Sequence, residues 1–201
     1  MSLFKQSLVL VFLGLFLLPA MADSEPQQLI RGTADEVLQL IKQKQQDYRQ
    51  DPSQMYSMID QKVLPHFDFN RMTDLALGRY KKKVKRDQRP QLVEAFRSLL
   101  VRTYGKALLE YTDQEIVYLP TRGSVDKGDV TVRTEIEQQG GFPIPLNYEM
   151  YIKDGEWKVY DISVDNISLV TNYRSSFAKE IKAKGIDGLI KRLQNRNRQE
   201  G

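Results

Sequence analysis

The spacing of apolar residues along this chain changes once. From about residue 33 to residue 111 apolar positions recur every three to four residues, and from residue 116 to residue 164 they alternate, which separates a helical half from a stranded half. Thr33, with Glu36 three residues on, predicts the start of a first helix of about 17 residues carrying Val37, Leu38, Leu40, Ile41 and Tyr48 as its stripe. The polar stretch before it, "DSEPQQLIRG" from residue 23 to 32, reads as a flexible lead-in. Pro52 opens a second helix with Met55, Ile59 and Val63 on one face, and Pro65 ends it. "FDFNRMTDLALG" predicts a short third helix from Asp68, stopped by Gly78. Asp87 then caps the longest helix, with Pro90 in its first turn and an amphipathic stripe of Leu92, Val93, Phe96, Leu99, Leu100, Tyr104, Ala107, Leu108 and Tyr111.

In the second half, Val130, Val132, Thr134 and Ile136 alternate with Thr131, Arg133, Glu135 and Glu137. Leu146, Tyr148, Met150 and Ile152 alternate in the same way, so both segments are antiparallel strands with one covered face. "IVYLP" from residue 116 is a shorter strand, and "DGEW" from 154 to 157 is a hairpin turn into a last strand, "WKVYDISV". A helix is predicted from Asn166 to about Lys184, broken at Gly185 before a final one. The order implies an α+β domain, with an antiparallel curved sheet of about four strands covered on one face by several helices. Its apolar face of Val130, Val132, Ile136, Leu146, Tyr148, Met150, Ile152, Trp157 and Val159, set against the long helix, either closes a solid core or lines a cavity.

The first residues change the picture of where such a domain works. Lys5, the apolar run "LVLVFLGLFLL" from Leu8 to Leu18 and "AMA" at 20–22 form the three regions of a secretory leader cleaved after Ala22. Residues 1–22 are thus expected to be a signal peptide, and residues 23–201 a single domain with flexible ends. The chain has no cysteine, so an exported product folds on burial alone, without disulfides. Cleavage takes one basic residue from 30 and none of the 26 acidic ones, leaving a net charge of +3. That modest charge and an exported address argue against nucleic acid as partner. Six of the eight residues from Arg79 to Arg86 are nevertheless basic, Arg79, Lys81, Lys82, Lys83, Lys85 and Arg86, a run that is either solvated loop or a docking patch.

Candidate chemistry is sparse. His66 is the only histidine, and as a general base it would need an orienting carboxylate such as Asp68. Asp161 and Asp165 offer an acid and a base if the fold is cone-shaped with an apolar pocket; the plainer reading is that they satisfy backbone amides. Nucleophile-elbow, zinc-helix and phosphate-loop patterns are absent from the sequence.

The segments "LPHFDFNRMTDLALGRYKK", "QLVEAFRSLLVRTYGKALLEYTD" and "WKVYDISVDNISLVTNYRSSFAKEIKAKGIDGLIKRL" resemble the MlaC, or toluene-tolerance, family of periplasmic phospholipid carriers of Gram-negative bacteria, over residues 33 to 195. One departure is the pair Asp165-Asn166, where the family reads Glu-Gly; Asn adopts left-handed backbone more readily than most residues, so a turn there stays open to it. The resemblance implies a monomeric, non-enzymatic carrier that maintains outer-membrane lipid asymmetry, with a diacyl phospholipid as its ligand and no other cofactor or metal. It implies partners in an outer-membrane lipoprotein complex and an inner-membrane ABC transporter with a lipid-binding periplasmic subunit. It places the acyl tails between sheet and helices, against the sheet face above together with Phe96, Leu99, Leu100, Tyr104, Leu108, Ile167 and Val170. It turns the Arg79–Arg86 run into a docking patch for acidic partner surfaces or anionic head groups.

Overall fold

The computed structural model describes residues 23–110, 114–138 and 140–199. The expected leader, residues 1–22, and Tyr111 at the expected end of the long helix lie outside them. Five α-helices, α1 (Glu25–Gln50), α2 (Pro52–Lys62), α3 (Phe69–Leu77), α4 (Gln88–Leu109) and α5 (Leu169–Gln199), frame an antiparallel sheet of β1 (Ile116–Ser124), β2 (Asp129–Ile136), β3 (Ile144–Lys153), β4 (Glu156–Val164) and β5 (Ile167–Ser168) in sequential order.

Two helices are opened by a side chain that reaches backbone, whereas Thr33, expected as a cap, lies inside α1. Asp51 accepts from the Ser53 amide to open α2, and Asp68 accepts from the Arg71 amide to open α3. Gly78, at φ +54, ends α3, where the left-handed backbone favours a residue without Cβ. The first helix is a correction. It starts at Glu25, so the stretch expected to be a flexible lead-in is helical. Pro26 sits in its first turn, where its missing N–H costs nothing. Tertiary bonds then hold the segment. Ser24 Oγ lies 3.1 Å from Thr121 Oγ1, which donates to Gln27 Oε1, and the Arg31 guanidinium covers the Tyr118 ring at 3.7 Å.

The register places Val132 opposite Tyr148, Thr134 opposite Leu146 and Ile136 opposite Ile144, so the two predicted alternations share one face. The sheet carries two irregularities, between Leu119 and Arg122 on β1 and opposite Glu149–Met150 on β4, where Tyr160 is the extra residue; such bulges bend a strand and raise its twist. After β4, Asp165 and Asn166 both adopt positive φ and turn the chain into β5. The family-departing pair thus makes a left-handed turn, pinned by the Asp165 amide donating to the Pro145 carbonyl. The fifth strand and the helix start at Leu169 correct the expectation that a helix begins at Asn166.

α5 is broken at Gly185, as predicted, where φ 71 and ψ −174 reverse its path. Arg192 Nη1 therefore reaches Glu180 Oε2 at 2.9 Å, a separation of twelve residues that a straight helix would hold about 18 Å apart. Buried residues fall into three groups: one of α3, α4 and α5 around Phe96 and Phe177, one of α1 and α2 around Ile41 and Met55, and one on the sheet around Val132 and Val159. The helical core contains no buried strand residue among those described.

Candidate functional site

The apolar face of the sheet differs along its length. Toward the β3–β4 hairpin, Val130, Val132, Met150, Trp157 and Val159 are sealed, four of them at 2% exposure or less. Leu29 and Ile30 of α1, together with Phe67, pack on them. The long helix was expected to cover this face; the closed half is covered by the start of α1 and the 64–67 turn instead. Toward the opposite end the face keeps accessible surface. Ile136, Leu146, Tyr148 and Ile162 are half-buried, Val164 is 37% exposed and Ile167, its cross-strand partner, 61%.

Two tyrosines, Tyr148 on this open half and Tyr104 on α4, keep accessible surface and are nonetheless desolvated. Tyr148 keeps accessible surface, yet burial pushes its phenol far above the ordinary tyrosine value, with Tyr118 adding to the shift and a hydrogen bond with Thr134 opposing it. Tyr104 on α4 is 38% exposed, and burial likewise raises its phenol, with the hydrogen-bonded Tyr173 adding. Tyr173 stands at the start of α5, just past β5, and its ring meets Phe96 edge-on at 5.1 Å. It thereby ties α4 to the strand end that carries Ile167.

The sixteen residues proposed from sequence to hold lipid are therefore not one surface. Phe96, Leu99, Leu100 and Val170 lie inside the helical core, and Val130, Val132, Met150, Trp157 and Val159 inside the sheet core. Ile152 is exposed at the far end of the sheet, bonded through its amide to the Gly128 carbonyl. Tyr104, Leu108, Ile136, Leu146, Tyr148 and Ile167 retain accessible surface. Ile162, Val164 and Tyr173 were missed. The signal for the first two was present as a phase change: alternation from Trp157 and Val159 predicts Asp161 and Ser163 on the inner face, but apolar residues resume at Ile162 and Val164, as a one-residue bulge at Tyr160 requires.

The carboxylates considered for chemistry are engaged in structure. Asp161 accepts from the Ile162 and Val170 amides and from the Ser168 hydroxyl at 2.5 Å, fastening the start of α5 to β4. Asp165 is exposed in its turn, so the two do not converge on a pocket. Asp68 is committed to Tyr151, Lys153 and the Arg71 amide. Burial, and then Lys158, lower the pKa of His66. Opposite Asp161, burial raises the Glu149 carboxyl, which accepts a hydrogen bond from Thr131. An open cleft of about 470 Å³ lies between α3, α4 and the β3–β4 hairpin, where Phe67, Phe69 and Val93 are interspersed with Asp68, Arg97, Lys153, Asp154, Glu156 and Lys158, so that charges would face any hydrocarbon laid in it. Among the described residues no cluster of three His, Cys, Asp or Glu could hold a metal ion. Nor is any described helix long and apolar enough to cross a membrane.

The same architecture occurs in the phospholipid-binding protein of Ralstonia solanacearum, solved in complex with a phospholipid. The two superpose with a TM-score of 0.81 at 33% sequence identity, over 88% of this chain and 99% of that one. Two other relatives are 28% identical: the intermembrane phospholipid transport system binding protein MlaC of Haemophilus influenzae, over 87% of this chain and 83% of its own, and a toluene tolerance protein of Pseudomonas putida, over 89% and 83%. Residues 31–195 match the family described as MlaC protein, and the chain belongs to that family.

Proposed function

We propose that this protein is a soluble periplasmic carrier that holds a diacyl phospholipid by its acyl tails and shuttles it between an outer-membrane lipoprotein complex and an inner-membrane ABC transporter with a lipid-binding subunit. It acts as a monomer, without covalent chemistry, and its traffic maintains the lipid asymmetry of the outer membrane. The tails lie against the open half of the sheet, with Ile136, Leu146, Tyr148, Ile162, Val164 and Ile167 on one side and Tyr104 and Leu108 of α4 on the other.

The observation that supports this most is the sealed-to-open change along the sheet face, found in a chain whose structural neighbour holds a phospholipid. The energetics require such a recess. At about 0.8 kcal/mol per buried methylene, two tails of roughly 15 methylenes would cost on the order of 20 kcal/mol to expose to water. A carrier without a dry wall for them would leave the lipid in the membrane. Asp161 serves this arrangement by holding α5 and β5 together, so that Ile167 and Tyr173 border the same opening.

Native mass spectrometry of protein purified from the periplasm tests the reading. A copurifying phospholipid is the expected result, and a lipid-free spectrum together with failure to extract lipid from vesicles would overturn it.

A further inference from the structure

The Arg79–Arg86 run forms a compact turn. Gly78–Lys83 is a 3-10 helix between α3 and α4, packed against α5. Its one aromatic, Tyr80, is buried at 7% exposure, while Arg79, Lys81, Lys82, Lys83, Lys85 and Arg86 are all exposed. Arg79 donates to the Tyr80 hydroxyl at 3.2 Å, and both Arg79 and Lys83 lie over its ring, at 5.1 and 5.6 Å. The phenol is pulled below its ordinary value, first by that hydrogen bond and then by the charges of Arg79, Lys182 and Lys83. Lys182 of α5 therefore adds to the same field. Arg174 does so too, its side chain lying across Gly78 and its Nε donating to the Leu75 carbonyl.

None of the six cations of the turn has a carboxylate partner among the described residues. Several basic residues elsewhere do, Arg89 with Asp74, Arg97 with Asp60 and Lys153 with Asp68 among them, and what sets the turn apart is that six unpaired cations stand within eight positions. Two acids lie at the margin, Asp87 beside the run and Asp187, which accepts from the Gln88 amide; both are exposed and neither is paired with a cation of the turn. The patch also lacks what marks a protein interface. Such interfaces are centred on aromatic and apolar anchors and are depleted in lysine, whereas here four of the six cations are lysines, Tyr80 points inward and Val84 is half-buried. A cluster of this size without an apolar centre fits a layer of anionic head groups.

We propose that the Arg79–Arg86 turn, with Lys182, is a membrane-contact surface that docks the carrier onto a bilayer bearing anionic phospholipids. The proposal rests on the phospholipid-carrier reading and adds to it a direct contact with the bilayer. Each cation removed should weaken attachment about fivefold, and salt should weaken it further because the contact is exposed.

The test is cosedimentation of the mature protein with vesicles of phosphatidylcholine alone and of phosphatidylcholine with phosphatidylglycerol, at low and high salt. It is run beside the variant Lys81→Gln/Lys82→Gln/Lys83→Gln/Lys85→Gln, whose fold is checked by circular dichroism. The proposal expects attachment to the anionic vesicles alone, weakened by salt and reduced about a hundredfold or more in the variant. Equal attachment to both vesicle types, or undiminished attachment of the variant, overturns it. So does absence of vesicle binding accompanied by charge-dependent association with an acidic partner protein. Lipid copurifying with wild type and variant is read separately by mass spectrometry. Lipid present in both while vesicle docking fails sinks the membrane contact alone, whereas wild type that neither copurifies with lipid nor extracts it from the vesicles sinks the carrier reading.

Discussion

The Tyr151 hydroxyl donates to Asp68 Oδ2 at 2.5 Å, joining the residue that caps α3 to the third strand of the sheet. Lys153 adds a second bond to the same oxygen at 2.9 Å, and the Asp68 amide donates to the Val159 carbonyl of β4. One residue thus holds a helix start to two strands, its carboxylate to β3 and its amide to β4.

Asp68 is the group whose loss should be felt most by this junction. Its side chain is 5% exposed, and Asp68→Ala would leave Lys153 and the α3 amides without their partner, at a cost of about 3 kcal/mol in unfolding free energy. Burial by itself raises the carboxyl, but the bonds from Tyr151, Lys153 and the Arg71 amide outweigh it, so its folded pKa lies below the ordinary value. With the folded value depressed, the stabilisation is complete above the unfolded pKa of about 4 and is lost as pH falls through the folded one. Thermal melts of wild type and Asp68→Ala should therefore differ most near neutrality and converge in acid; a gap that widens on acidification would contradict this.

Glutamate substitutions on the sheet face should separate into two kinds. Leu146→Glu and Ile167→Glu place the charge where the face is accessible and should leave a folded, lipid-poor protein. Ile167, at 61% exposure, should cost about 0.5 kcal/mol or less in stability. Val132→Glu and Met150→Glu bury the charge at sites of 0% exposure and should unfold the domain, since an unpaired charge there costs several kcal/mol. Circular dichroism melting beside lipid content measures both properties.

Gly185 and Gly32 predict opposite signs. Gly185, at φ 71 and ψ −174, occupies backbone that is almost exclusive to glycine, so Gly185→Ala should destabilise by about 1–3 kcal/mol and pull Arg192 from Glu180. Gly32 lies inside α1, and a Cβ there would meet nothing within 4 Å. Gly32→Ala should stabilise by about 1 kcal/mol, the ordinary helix-propensity difference. Denaturant midpoints of the two variants decide this.

Local chemistry was enough to determine much of this protein. Pro52 and Asp68 as helix starts, Gly78 and Gly185 as breaks, the Asp154-Gly155 turn and the shared face of β2 and β3 all follow from residue type and spacing, because each depends on bonds or backbone angles within a few residues. The family was legible for the same reason, in runs such as "NYRSSF" and "GIDGL". Tertiary structure decided the rest. The start of α1 has too little apolar content to announce itself, and it is helical because Leu29 and Ile30 find Val130, Val132 and Trp157 a hundred or more residues away. The bulge at Tyr160 shifts Ile162 and Val164 onto the inner face, and only strand pairing reveals which residue is extra. Above all, periodicity marks a face as apolar without saying what covers it. Burial is a property of neighbours, so the division between the sealed half around Val132 and the open half around Leu146 and Ile167 exists only once α1, Phe67 and β5 are in place.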